Sequence, residues 1–205
     1  MIYDLLRAGG MATIVIVVAG LFAFVVFVER IYFFHRAQIR VSDFLNGIFN
    51  VLRQGNRREA IILCEETPGP VAVIAKTAII HFSDTPEELK KAIFNTGVEE
   101  ASRMERKFTI ISSVAHLAPL FGLFGTIVGL MEYAFIIKDG SILIEVGQLT
   151  SGIFTALVST ATGLCVAILS SIEYNLLISR MDVIVGDMER TGQDVETFII
   201  NLRKS

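Results

Sequence analysis

From Thr109 to Met131 the chain carries no Asp, Glu, Lys or Arg, and the run is long enough to cross a bilayer as a helix. Its content is not that of a helix that meets only lipid. Gly122, Gly125 and Gly129 come round to a similar side, with Thr126 among them. Small residues so placed let a second helix approach closely, and the hydroxyl serves whatever lies opposite. The run reads as a membrane helix whose important neighbour is protein or a pore.

Two further runs are of the same kind, so the chain is expected to be an all-α integral membrane protein with three transmembrane helices, at about 8–28, 110–137 and 146–172. The first ends abruptly at Glu29-Arg30, and the third meets no charge until Glu173. Hydrophobic residues make up 53% of the chain and charged ones 19%, with a mean hydropathy of +0.61. That composition is too apolar for an ordinary soluble domain. The first run, long and without a small-residue cleavage site behind it, reads as an anchor rather than a cleaved signal. Arg30, Arg36 and Arg40 follow the first run while Arg7 alone precedes it. Arg103, Arg106 and Lys107 precede the second run, and only Lys138 follows. The positive-inside rule then puts the N-terminus outside, 30–108 in the cytoplasm, a short outer turn at 138–147, and the C-terminal tail inside.

A net charge of -3, with no basic stripe interleaved by aromatics, gives no reason to expect nucleic acid. Cys64 and Cys165 have no partner at metal or disulfide spacing and read as small apolar residues, so no metal site is expected.

The segment 30–108 carries helical patterning. Phe44, Ile48, Val51 and Leu52 recur at three- and four-residue steps, and the pattern continues through Ile61, Ile62 and Leu63. Pro68-Gly69-Pro70 breaks it, and a short apolar helix from about Val71 to Phe82 follows. Thr85 can cap the next helix, Pro86 suits its first position, and Glu88 completes a capping box. With no breaker before Pro119, this helix is expected to run straight into the second span. The tail 173–205 reads as amphipathic helix, with Met181, Ile184, Val185 and Met188 on one side. The whole, 1–205, reads as a single domain of membrane helices that extend into a cytoplasmic part.

In the third span Ser151, Thr155, Ser159, Gly163, Ala167 and Ser171 recur at every fourth position, beside a row of Gly152, Ala156 and Thr160. A stripe of small residues marks a packed helix interface, while its hydroxyls can also line a hydrated path. No span has an acid or a Lys/Arg near its middle. A hydroxyl can orient water or coordinate an ion, but cannot take up and release a proton at its ordinary pKa. If protons pass, the titratable carrier comes from another polypeptide. His116, near one end of the second span, reads as a hydrogen-bonded structural residue rather than a relay. Glu29-Arg30 and Glu132 read as interfacial anchors.

Ala118-Pro119-Leu120-Phe121-Gly122-Leu123-Phe124-Gly125-Thr126-Ile127-Val128-Gly129 resembles the A-P-x-x-G-L-x-G-T-x-x-G signature of the ExbB/TolQ/MotA family. Gly152-Ile153-Phe154-Thr155-Ala156-Leu157-Val158-Ser159-Thr160-Ala161-Thr162-Gly163-Leu164 resembles that family's third-helix motif, G-I-x-x-A-L-x-x-T-x-x-G-L. The Glu29-Arg30 ending, Tyr174-Asn175 past the third span and the three-span layout are similar too, closer to ExbB and TolQ than to four-span MotA.

The resemblance implies a homo-pentamer in the bacterial inner membrane around a pore. That pore would hold the spanning helices of two copies of an ExbD/TolR-type partner, whose Asp carries the ion, and membrane lipid would surround the pentamer. It implies an ion-driven stator acting on a TonB- or TolA-like transducer, and it matches Thr126 and Thr160 to pore-facing threonines. ExbB and TolQ usually carry Glu where this chain has Thr155. Thr126, Thr155, Ser159 and Thr160 are therefore the expected ion pathway, for protons by family frequency or for sodium by their oxygens. Gly122, Gly125, Gly129, Gly152 and Gly163 are the expected packing residues. No cofactor is expected. The rival reading is a passive membrane scaffold; an enzyme finds no Ser/His or Asp/Asp pair, zinc motif or nucleotide loop to support it.

Overall fold

A computed structural model describes residues 10–37, 40–138 and 146–204. They form seven helices: α1 (Gly10–Ala37), α2 (Val41–Arg53), α3 (Arg57–Glu66), α4 (Pro70–Ile80), α5 (Pro86–Glu105), α6 (Phe108–Lys138) and α7 (Val146–Lys204). Arg7, the start of the first span at Ala8 and most of the expected outer turn at 138–147 lie outside the described residues. Three stretches are long and apolar enough to cross a membrane: Gly10–Ala37, Phe108–Glu132 and Gly152–Arg203. Pro119 lies inside α6 without ending it.

The described residues divide into two compact units, one drawn from Met1–Val28 and Lys107–Leu176, the other from Glu29–Arg106 and Leu177–Ser205. In the first, α1 turns Thr13, Ile16, Ala23 and Val26 inward, the three- and four-residue steps of one helix face. Ile16 packs in a cluster with Ala118 of α6 and Ala167 of α7, flanked by Val166. On the opposite face Leu21 and Val25 are 61% and 64% exposed. Branched apolar side chains bared in a row suit lipid and not water.

The second unit is a helical bundle with a core drawn from α2, α3, α4, α5 and α7, including Leu45, Ile48, Leu52, Ala60, Ala75, Ile79, Leu89, Val195 and Ile199. Phe49 of α2 stacks on Phe198 of α7, ring centroids 4.2 Å apart. The expected apolar sides of α2 and of the tail are buried at Ile48, Leu52, Ile184 and Met188. The capping box forms as read: the Glu88 amide donates to Thr85 Oγ1 at 3.3 Å, and the Thr85 amide donates to Glu88 Oε2 at 3.1 Å.

Two expectations of continuous helix are corrected. The patterning through Phe44 to Leu63 is cut into α2 and α3 by Gly55, whose φ of 78° is the left-handed conformation. The Gly55 amide donates to Leu52 O at 3.0 Å and the Asn56 amide to Val51 O at 3.3 Å, the Schellman ending that glycine permits. The helix begun at Pro86 does not run into the second span either. It stops at Glu105, and α6 starts afresh at Phe108. Phe108 is 1% exposed and meets Tyr174 edge to face at 6.4 Å. No Gly or Pro announces this break, and Arg106 keeps helical φ and ψ of -49° and -38°.

Candidate functional site

Within the first unit α6 and α7 lie backbone to backbone. A Cβ on Gly163 would stand 2.6 Å from Ala118 O and 2.9 Å from Gly122 Cα; one on Gly122 would stand 3.1 Å from Ser159 O and 3.3 Å from Thr160 Cα. Gly129 continues the line, where a Cβ would reach Ala156 Cβ and Gly152 O at 3.4 Å. The pairing runs antiparallel, low numbers of α6 against high numbers of α7. Gly122, Gly129, Gly152 and Gly163 all lie in it, and so does the backbone of Ala118.

Thr126 and Thr160 meet at this contact and hydrogen-bond through their hydroxyls. Thr126 Oγ1 is also 3.2 Å from Gly122 O and 3.2 Å from Ala156 O, and Thr160 Oγ1 is 3.3 Å from Gly122 O. Two hydroxyls supply two protons, while two carbonyls and the hydroxyl oxygens offer more acceptor places than that. The pair can therefore reverse its direction of donation by rotating, and always keeps a lone pair open. Both threonines are half-buried.

The expected four-residue row of hydroxyls does not stay together. A strict step of four advances about 40° per step round a helix of 3.6 residues per turn. Its ends accordingly leave the contact, with Thr155 half-buried and Ser171 exposed; the side chain of Ser151 lies outside the described residues. The buried line of α7 is instead Ala156, Ser159, Gly163, Ala167 and Ser170. Ser159 is fully buried, with its side chain against Gly125. Its hydroxyl has no hydrogen-bond partner among the described residues. Thr155 lines an open cavity of about 370 Å³ with Ala12, Phe124, Gly125 and Glu132.

Glu132, read from the sequence as an anchor, thus shares a cavity with Thr155. Thr13 and Gly20 of α1 also lie on a packed side, which the sequence pattern does not single out. Thr13 is fully buried, and a Cβ on Gly20 would stand 2.9 Å from Val166 Cγ1. The signal was the recurrence of 13, 16, 20 and 23 on one face, hidden because nearly every residue of that span is apolar. His116 is exposed and its Nδ1 donates to Ser112 O at 2.7 Å, one turn back. Arg30 is 10% exposed at its side chain, 3.4 Å from Glu29 Oε1 and over the Phe33 ring at 5.0 Å. Among the described residues no cluster of His, Cys, Asp or Glu could hold a metal.

Residues 67–190 match the MotA/TolQ/ExbB proton channel family. The putative biopolymer transport protein ExbB-like 3 of Synechocystis is 30% identical over 91% of this chain and 90% of its own length. The putative biopolymer transport protein ExbB homolog of Methanothermobacter thermautotrophicus is 24% identical over 92% of this chain and 67% of its own length. The Tol-Pal system protein TolQ of Haemophilus influenzae is 35% identical over 43% of this chain and 38% of its own length.

Proposed function

Because the chain belongs to the MotA/TolQ/ExbB proton channel family, we propose that it is the ion-conducting stator subunit of an ExbBD/TolQR-type motor. In this reading it sits in the bacterial inner membrane with its N-terminus periplasmic and its C-terminus cytoplasmic. Five copies surround the spanning helices of two ExbD/TolR-type partners. Ion flow through the complex does work on a TonB- or TolA-like protein. The family is one of channels and not of enzymes.

The observation that carries this reading is the Thr126–Thr160 hydroxyl pair. Close packing at Gly122 and Gly163 needs small residues but no hydroxyls. A reversible pair with an open lone pair can hold and turn a water beside a titratable group. It cannot store a proton itself, so the carboxylate belongs to the partner, and the pair orients the water through which that carboxylate loads and unloads. We favour protons as the ion. The alternative, a passive scaffold, draws on the backbone contact at Gly122 and Gly163, which would serve assembly alone.

Reconstitution in vesicles with an ExbD/TolR-type single-span partner tests this. The complex is expected to pass protons down an imposed gradient, and Thr160→Val to suppress the flux while assembly persists. Equal flux from the valine variant, or no flux from an intact complex, sinks the proposal.

A further inference from the structure

His35 of α1 and Arg180 of α7 line one cavity of about 150 Å³, walled by Ile31, Phe34, Val183 and Ile184. Phe34 and Ile184 are buried beneath it, at 3% and 4% exposure, while Val183 is 51% exposed at its edge. Among the described residues neither His35 nor Arg180 pairs with a carboxylate. An arginine and a histidine thus share an apolar notch whose lining includes no carboxylate.

The place of the two residues along their helices is informative. Val28 closes the apolar run of α1 and Ile172 that of α7. His35 and Arg180 each follow by about two turns, roughly 10 Å along the axis. Side chains of a helix tilt towards its N-terminus, which in both helices is the direction of the span. The long Arg180 side chain can therefore reach back towards the interface, with its head in the polar layer.

We propose that this notch seats the phosphate of an anionic phospholipid from the adjoining leaflet, its glycerol and upper chains lying on the span side of the notch at Ile31. The Arg180 guanidinium offers a forked donor that suits phosphate, and His35 lines the same notch with a second donor. A zwitterionic headgroup brings its own cation into the notch and gains less. This site rests on α1 and α7 being membrane spans and not on ion conduction.

The test is lipid retention by the full chain, assembled as it exists, in nanodiscs of mixed phosphatidylglycerol and phosphatidylcholine, read by native mass spectrometry. Phosphatidylglycerol is expected to be retained preferentially. Arg180→Gln should reduce that preference about fivefold, and Arg180→Lys should keep most of it. Lys91→Gln, an exposed cation of α5, should leave it unchanged. Equal retention of the two lipids by the unaltered chain overturns the proposal whatever the variants do. So does displacement by millimolar inorganic phosphate, which would mark a site for free anions, or equal loss in Lys91→Gln, which would mark only general surface charge.

Discussion

Thr126 and Thr160 bind each other through their hydroxyls at the level where Gly122 brings the two backbones into contact. The glycine and the pair depend on one another. Without the close approach the hydroxyls could not reach across, and without the hydroxyls the carbonyls of Gly122 and Ala156 would lose their second partners.

The pair should therefore behave as a unit. Thr126→Val and Thr160→Val keep the side-chain shape and remove the hydroxyl, so each should lower the thermal stability of the assembled protein modestly. A double-mutant cycle should return a coupling of about 0.6 kcal/mol and not more than about 1.7. Ion flux should fall by about tenfold in either variant if one hydrogen bond of about 1.4 kcal/mol is lost in the limiting step. Strictly additive effects on stability would show that the hydroxyls do not meet.

Two glycines of α7 should respond in opposite directions. Gly163→Ala sets a methyl 2.6 Å from Ala118 O, where backbone must give way. A loss of about 1–3 kcal/mol, seen as a lower melting point or loss of assembly, is expected. Gly186 has nothing within 4 Å of a Cβ and lies within a helix, so Gly186→Ala should add about 0.5–1 kcal/mol. Thermal unfolding of the two purified variants beside the parent checks both signs.

Signals that act over one turn were legible from sequence alone. Thr85 and Glu88 declare their capping box in four letters, and the apolar steps of Phe44 to Leu52 mark a face that is buried. The interruption before Phe108 was not legible, because no breaker residue ends the preceding helix and Arg106 keeps helical φ and ψ. Nor was the division of the hydroxyl row, since Ser159 and Thr160 are neighbours in sequence yet stand about 100° apart round the helix. In α1 the inward face could not be told from the outward one. Where lipid takes the place of water, both faces are apolar, and only Gly20 and Thr13 betray the side that meets protein.

Cys64 should be a silent thiol that reports unfolding of the second unit. It is 4% exposed, and burial pushes its pKa up to about 12, from an ordinary 9.0, against the weaker pull of Lys76. The folded pKa is raised, so the contribution of the neutral thiol to stability is whole below pH 9 and is lost as pH rises towards 12. Maleimide at pH 7 should label Cys64 only as fast as the unit opens, and Cys64→Ala should flatten the decline in stability between pH 9 and 11. Rapid labelling of the native protein would show that the core around α3 and α4 is open.

Thr155 decides between the two candidate ions. It shares its cavity with Glu132 and the start of α1, and neither Thr126 nor Thr160 lines that cavity. If protons are the coupling ion, flux through the reconstituted complex should follow an imposed pH gradient in sodium-free buffer, and Thr155→Val should leave it within about twofold. If sodium is the ion, oxygens at Thr155 and Glu132 suit a hard cation. Flux should then saturate with external sodium, and Thr155→Val should raise the half-saturating concentration. Imposing the two gradients separately gives a clear reading. Proton-driven flux without sodium is the expected result, and a strict sodium requirement that shifts with Thr155→Val would overturn it.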